Sequence, residues 1–456
     1  MSHKHFSLFS LAYIAFSLIS ILVSILLTPP GQVVDEMPHF ARAAFLAEGK
    51  VVGRRLSPVA SGGLLPCNFN LVYLDFERPP SKRIEPGKPN TFTDRPWNEE
   101  LCFVGFPNTV IYAPFTYIPA ALTIWGARHT HMTIIQTGYA VRIMNGFISV
   151  LLCAAGIVLA RRGVLFLAAI ASMPMTITLA GSCSQDGILI GLTVLAAGIL
   201  TRFNRFTEIN LRNWIFLSIL FALLAVSKPP LLMCSMIPVA FMFRKHKFLA
   251  PLPVILSVIS VGFWSKIAIK PVKIQFLPDA GVSDGEQVHW VMTHLLSVPD
   301  LLAHTIKNNI FTYLTEWIGV LGWLDAPLPH LFYYFTSVFV FCTLILSACP
   351  FQKGKVVAQE RGVTITTLFC TLAASAAVFL ALYIIWTKVG DPIVNGVQGR
   401  YFLPIAPFLA LVFPQLKQGE PIASSPVVNQ TVIIAFCAYW IVDAVTIMNV
   451  LFVRYW

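Results

Sequence analysis

Apolar positions in this chain come in long blocks rather than in alternating stripes. Eleven blocks are expected to be membrane-spanning helices, near 8–28, 138–160, 163–181, 187–201, 213–227, 231–243, 249–269, 331–349, 364–386, 401–415 and 428–450. Helices of this kind cover about 30 Å of hydrocarbon, and the spacing of the blocks argues against barrel strands. The first block is longer than the apolar run of a secretory signal and lacks a small-residue cleavage site, so it reads as an anchor. No repeat of fixed period is visible, and residues 1–456 read as one domain. The expected fold class is an all-α polytopic membrane protein.

Two long polar segments separate these blocks, from Pro29 to about Thr137 and from Lys270 to His330. The first contains PCNFNLVYLDFERPPSKRIEPGKPNTFTDRPWNEE, which its prolines and charges mark as loop. NTVIYAPFTYIPAALTIWGARHTH follows, aromatic and amphipathic, and 108–125 is expected to lie as a short helix in the membrane interface. Crossing is the alternative; it would turn every later loop over and put Arg161, Arg162 and the 244–247 basic cluster outside, against the positive-inside rule. IFTYLTEWIGVLGWLDAPLPH, after Asn309, presents the same choice. It reads as an interfacial or re-entrant piece, because Glu316 stranded in hydrocarbon would be costly.

The stretch PPGQVVDEMPHFARAAFLAEGK, Pro29 to Lys50, stands at the end of the first block. Pro38 suits a first helical turn, Asp35 or Glu36 its cap and Gly49 its end, so a helix is expected from about Met37 to Glu48. Asp35, His39 and Arg42 follow the spacing i, i+4, i+7 and share one face of it. The plainer reading is that the acids only cap a helix whose N-terminal dipole favours negative charge.

Composition sharpens the picture: 56% of residues are hydrophobic and 12% charged, against roughly 25% charged in a soluble domain. With the N-terminus cytoplasmic, the inner loops hold Lys4, Arg161, Arg162, Arg202, Arg205, Arg212, Arg244, Lys245, Lys247, Lys353, Lys355, Arg361 and Lys417 against only Glu208, Glu360 and Glu420. Topology thus accounts for nearly all of the +11 net charge, and the basic balance is a membrane signal rather than a nucleic-acid one. Nine cysteines include no Cys-x-x-Cys pair. Cys67 and Cys102 share the first outer segment, either as a disulfide or as chance neighbours.

Polar residues recur at the outer ends of the blocks. Gly181 to Asp186 carries a lone acid, Ser227-Lys228-Pro229-Pro230 a lone Lys, Gly322 to Asp325 another acid, and Gly390 to Tyr401 ends on Arg400 and Tyr401. Singly, each reads as a snorkelling cation or a turn former. Together they describe an outer-leaflet cavity with carboxylates on one wall and cations on the other, suited to transfer chemistry on an anionic lipid headgroup. The candidate catalytic residues are Asp35 and Glu36; His39, Arg42, Asp186, Lys228, Asp325, Arg400 and Tyr401 are candidate substrate-binding residues.

The motifs PPGQVVDEMPHFARAAFLAEGK, NTVIYAPFTYIP, SQDGILIGL, AVSKPPLL, GVLGWLDAPLP and GVQGRYFLPIAP, in that order between Pro29 and Phe413, resemble those of the bacterial membrane family called domain of unknown function 2142. That family is similar in turn to the GT-C superfamily of glycosyltransferases, which take sugars from polyprenyl-phosphate donors. The resemblance implies a GT-C-like fold in a bacterial inner membrane, and an inverting transfer at its outer face to an envelope glycan or lipid acceptor. It gives Asp35 the catalytic carboxylate, and Lys228 and Arg400 the lipid phosphate; Glu36, pointing about 100° away on the helix, is expected to cap it or support Asp35. Some members use a divalent metal ion, for which Asp35, His39 and Asp186 are the candidates. Two other classes stay open: a transporter or flippase of lipid-linked sugar, suggested by Asp443 within the last block, and a non-catalytic scaffold in a polysaccharide-assembly complex.

Overall fold

The structure, a computed structural model, describes residues 2–76, 94–203, 209–241, 247–348, 356–357, 361–416 and 430–456. The Pro- and Lys-rich stretch 77–93 and the loop residues Arg205, Glu208, Arg244, Lys245, Lys353, Lys355, Glu360, Lys417 and Glu420 lie outside the described residues.

The chain is mostly helical, but the eleven expected spans resolve into three kinds of element. Six helices are long and apolar enough to cross a membrane: α1 (Ser2–Leu27), α5 (Ile134–Leu159), α10 (Leu252–Trp264) with its continuation, α14 (His330–Ala348), α15 (Arg361–Trp386) and α16 (Gln430–Tyr455). The last turns of α10 widen into a π-type stretch, Ser265–Ile269, before α11 (Lys270–Val272). Three shorter apolar elements take the places of 187–201, 213–227 and 231–243: α8 (Asp186–Leu200), α9 (Leu211–Ser227) and a 3₁₀ run, Pro229–Phe241.

The other two expected spans are broken. Residues 163–181 form α6 (Val164–Ala171) and α7 (Pro174–Ala180), divided where Pro174 opens a new first turn. Residues 401–415 give two 3₁₀ pieces, Gly399–Phe402 and Ala406–Val412, in a stretch where Pro404 and Pro407 remove backbone donors. An irregular backbone is tolerated at such depth where protein covers it. Leu403, Phe408, Ala410 and Leu411 are indeed fully buried in the main core.

Helix α8 runs through the middle of that core. Its fifteen residues reach only about 22 Å, and α5 packs on it backbone to backbone at paired glycines. A Cβ on Gly156 would fall 2.5 Å from the Val194 carbonyl oxygen, and one on Gly198 would fall 2.2 Å from that of Gly156. Small residues at such crossings let helices approach closely in lipid.

The segment 29–137 builds a layer of its own beside the helices. It contains α2 (Glu36–Ala47), α3 (Cys67–Phe76), α4 (Ile118–His129) and an antiparallel sheet of β1 (Arg54–Ser57), β2 (Ala60–Pro66) and β3 (Leu101–Gly105) in the order β1-β2-β3. CNFNLVYLDF, expected as loop, is therefore α3. Its Phe69, Val72 and Tyr73 pack into a core with Phe40, Phe45 and Phe106, and that apolar face outweighs the turn-forming residues around it. Cys67 and Cys102 are disulfide-bonded, tying the start of α3 to β3. At twelve residues α4 reaches about 18 Å, too short to cross about 30 Å of hydrocarbon.

The second polar segment forms α12 (Asp284–Thr293) and α13 (Val298–Gly319). The piece expected to begin after Asn309 is thus the second half of a 22-residue helix. It ends in a hairpin of β4 (Val320–Leu321) and β5 (Ala326–Pro327).

Candidate functional site

The Pro29-Pro30-Gly31 turn ends α1 and leads into α2, and the two adjacent acids at its mouth point to different partners. Glu36 accepts from Arg142 Nε (2.7 Å) and Nη2 (2.6 Å), from the Gly31 amide (2.9 Å) and from the Cys183 amide (3.1 Å). Arg142, in the middle of α5, also donates to the carbonyls of Thr28 and Pro29. Both side chains are buried, and the pair stitches α1, α2, α5 and the loop before α8 together. Glu36, a candidate catalytic residue by sequence, is a buried structural anchor with its acceptors occupied.

Asp35 occupies the cap position of α2, yet its side chain makes no capping hydrogen bond. Its backbone is left-handed, φ 58°, a conformation that Asp and Asn adopt more readily than other non-glycine residues. The carboxylate, 32% exposed, pairs instead with Arg400, and Asn108 Nδ2 lies 3.5 Å from its other oxygen.

Arg400 belongs to the 3₁₀ turn Gly399–Phe402 and is fully buried. Besides Asp35 it meets Asp186 at 3.5 Å and donates from Nε to Gln398 Oε1 at 2.6 Å. Asp186 opens α8 and accepts from Lys228 Nζ at 2.8 Å, and Lys228 stands at the C-terminal end of α9. Four residues scattered over the sequence thus form one chain of alternating charge, Asp35–Arg400–Asp186–Lys228. The expectation of carboxylates on one wall and cations on another gives way to interleaved signs, because a buried charge without a partner is costly to keep out of water. The Tyr401 ring lies between both cations, 5.1 Å from Arg400 and 5.3 Å from Lys228.

His39 is buried one turn into α2, stacked on Tyr112 and hydrogen-bonded through Nδ1 to the Tyr117 hydroxyl at 2.6 Å. Burial lowers its pKa to about 4 against the opposing pull of Asp186 and Asp35, so the ring is neutral at pH 7. Arg42 shares that face by sequence but donates to the Tyr112 and Val51 carbonyls rather than joining the ion-pair chain; burial lowers its pKa to about 10. Asp325 also stands apart. It accepts from Arg454 at 2.8 Å and from the Trp323 amide at 2.9 Å, tying the β4–β5 hairpin to the end of α16.

A cavity of about 210 Å³ opens beside Asp35. His39, Asn108, Tyr112, Gln398 and Tyr401 line it, together with Phe276, Leu382, Ile385 and Trp386. Sequence reasoning grouped Asp35, His39, Asp186, Lys228, Arg400 and Tyr401, which the structure brings together in the ion-pair chain and the cavity beside it, and missed Asn108, Trp386 and, at Glu36, Arg142. Arg142 had a signal: a lone Arg deep in an apolar helix needs a buried acid.

The proposed metal ligands do not fit a metal ion. Arg400 bridges Asp35 and Asp186, Nδ1 of His39 is taken by Tyr117, and no three His, Cys, Asp or Glu side chains gather as a metal set among the described residues.

No curated protein and no solved structure matches this chain. Over residues 18–409 the sequence matches the family described as predicted membrane protein (DUF2142), and the chain, multi-pass and built around these ordered motifs, belongs to it.

Proposed function

We propose that this protein transfers a sugar from a polyprenyl-phosphate donor to an envelope glycan or lipid acceptor, working in a bacterial inner membrane with its N-terminus cytoplasmic and its site facing outward. One observation carries the reading: a carboxylate, Asp35, borders an open cavity while two cations, Arg400 and Lys228, stand immediately behind it on a shared acid.

In the reaction an acceptor hydroxyl attacks the anomeric carbon as the bond to the phosphate oxygen breaks. The lipid phosphate leaves with the bonding electrons, and Asp35 takes the hydroxyl proton. Attack opposite the leaving group inverts the anomeric centre. Arg400 and Lys228, standing behind Asp35, supply positive charge for the departing phosphate, Lys228 as a point charge and Arg400 from a planar fork whose nitrogens are already directed at Asp35, Asp186 and Gln398. The GT-C resemblance supports this division of labour.

A flippase for the same lipid is a second reading, favoured by Asp443, which is buried in α16 with Oδ1 lacking a hydrogen-bond partner. Proteoliposomes loaded with radiolabelled polyprenyl-phosphate sugar decide between them. Label leaving the carrier only in the presence of an acceptor extract supports the transferase. Intact carrier crossing the bilayer overturns it in favour of the flippase.

A further inference from the structure

The cavity beside Asp35 has two chemically different sides. Asp35, Asn108 and Gln398 contribute polar groups, whereas Trp386, Phe276, Leu382 and Ile385 contribute aromatic and aliphatic surface. Arg400, Lys228 and Asp186 are not among the residues that line it. With His39 neutral, Asp35 carries the only formal charge on these walls. A phosphate placed here would face the Asp35 carboxylate across walls that expose no cation, since Arg400 pairs with Asp35 from behind and does not line the cavity, and that is an unfavourable burial for the phosphate.

Trp386 closes α15 and is held from two directions. Its ring centroid lies 5.5 Å from that of Phe276, and the backbone at Gly396 comes so near that a Cβ there would fall 2.4 Å from the indole Cδ1. Gly396 also has φ +78°, so the loop reaches this approach only with glycine. The indole is a fixed surface rather than a swinging side chain.

A pyranose ring matches such a lining. One of its faces is polarised C–H, attracted by the negative face of an aromatic ring, while its rim is hydroxyl. We infer that this cavity binds a neutral sugar ring, with Trp386 as the platform for its C–H face and Asp35, Asn108 and Gln398 as partners for its hydroxyls. The inference rests on the transferase reading for its meaning: the cavity is the acceptor-glycan site, and the donor phosphate belongs on the Arg400–Lys228 side of Asp35.

The test is saturation-transfer NMR on the full-length protein in detergent, using the methyl glycosides of glucose, galactose and mannose as probes. Ring C–H protons of at least one glycoside should be saturated by the wild type. Trp386→Ala should weaken that binding about tenfold, and Trp386→Phe should restore most of it. If Trp386→Ala loses its fold, Trp386→Leu, which keeps apolar bulk without a ring, takes its place. Inorganic phosphate should leave the signal unchanged. Silence from all three glycosides, equal binding by the ring-less variant, or displacement by phosphate would each overturn the inference. A protein that binds glycoside through Trp386 but never cleaves a polyprenyl-phosphate donor keeps this site and loses the transferase reading. Transfer without Trp386-dependent binding does the reverse.

Discussion

The guanidinium of Arg400 closes on the carboxylate of Asp35, 365 positions earlier in the sequence, and joins the loop before α2 to the 3₁₀ turn that opens the 399–412 stretch. Only one end of this pair is open: Arg400 is 1% exposed and Asp35 32%. The acid can therefore meet a substrate while the cation behind it is held in place.

Asp35→Asn is the cleanest probe of that acid, because Asn tolerates the same left-handed backbone. It should lower kcat for sugar transfer at least about a hundredfold, the usual contribution of a positioned general base. The thermal unfolding temperature in detergent should fall somewhat, because the buried Arg400 keeps only Asp186, which it shares with Lys228, so kcat is compared on the folded fraction. Transfer at the wild-type rate would remove Asp35 from proton abstraction.

Arg400→Lys tests the fork. Arg400 reaches Asp35, Asp186 and Gln398 together, and an ammonium cannot reproduce those directions. KM for the polyprenyl-phosphate donor should rise about tenfold, while Lys228→Arg, which keeps a cation against Asp186, should change it less. Equal effects from the two substitutions would contradict distinct roles.

Glu36→Gln should damage folding rather than chemistry. Removing one partner of a buried ion pair leaves an uncompensated charge on Arg142, a loss of about 3–5 kcal/mol. The variant should melt well below the wild type, yet its folded fraction should turn over normally. Adding Arg142→Met should recover part of the stability, as a double-mutant cycle would register.

His39 imposes a pH dependence on stability. Its folded-state pKa of about 4 lies below its ordinary value of 6.5, so between those values the unfolded chain binds a proton that the folded one refuses. Stability is full above pH 6.5 and declines as pH falls toward 4, by roughly 3 kcal/mol. His39→Gln should flatten this slope when unfolding is followed from pH 7 to pH 4.5. An unchanged slope would place the titration elsewhere.

The disulfide closes a loop across 35 positions, so losing it should destabilise the 29–137 layer by about 3–4 kcal/mol. Cys67→Ser and Cys102→Ser should each show this in thermal unfolding, and reductant should lower the wild type to the same level.

The sequence made some parts of this arrangement plain and concealed others for identifiable reasons. Asp35, Asp186, Lys228 and Arg400 could be grouped because each is a charge at the end of an apolar block, where lipid leaves little else for it to do but meet a partner. Glu36 could be set apart from Asp35 as a cap or support, but its partner could not be read, since Arg142 lies 106 residues away. Span counting failed where prolines interrupt apolar runs, at Pro174, Pro238, Pro404 and Pro407. Hydropathy measures only how greasy a stretch is; whether the backbone stays helical depends on donors that proline lacks. Trp386 gave no warning either, because an aromatic at the end of a span is ordinarily an interfacial anchor.

An acid just ahead of a helix normally turns inward to the free amides of its own first turn, where it is held and of little use to anything else. The mirror-handed backbone at Asp35 prevents that local settlement. Its neighbour Glu36 takes over the task of fastening the chain, and the freed oxygens reach across to Arg400 and Asn108 at the rim of the cavity. A single torsion angle thus separates two otherwise similar side chains into a rivet and a tool.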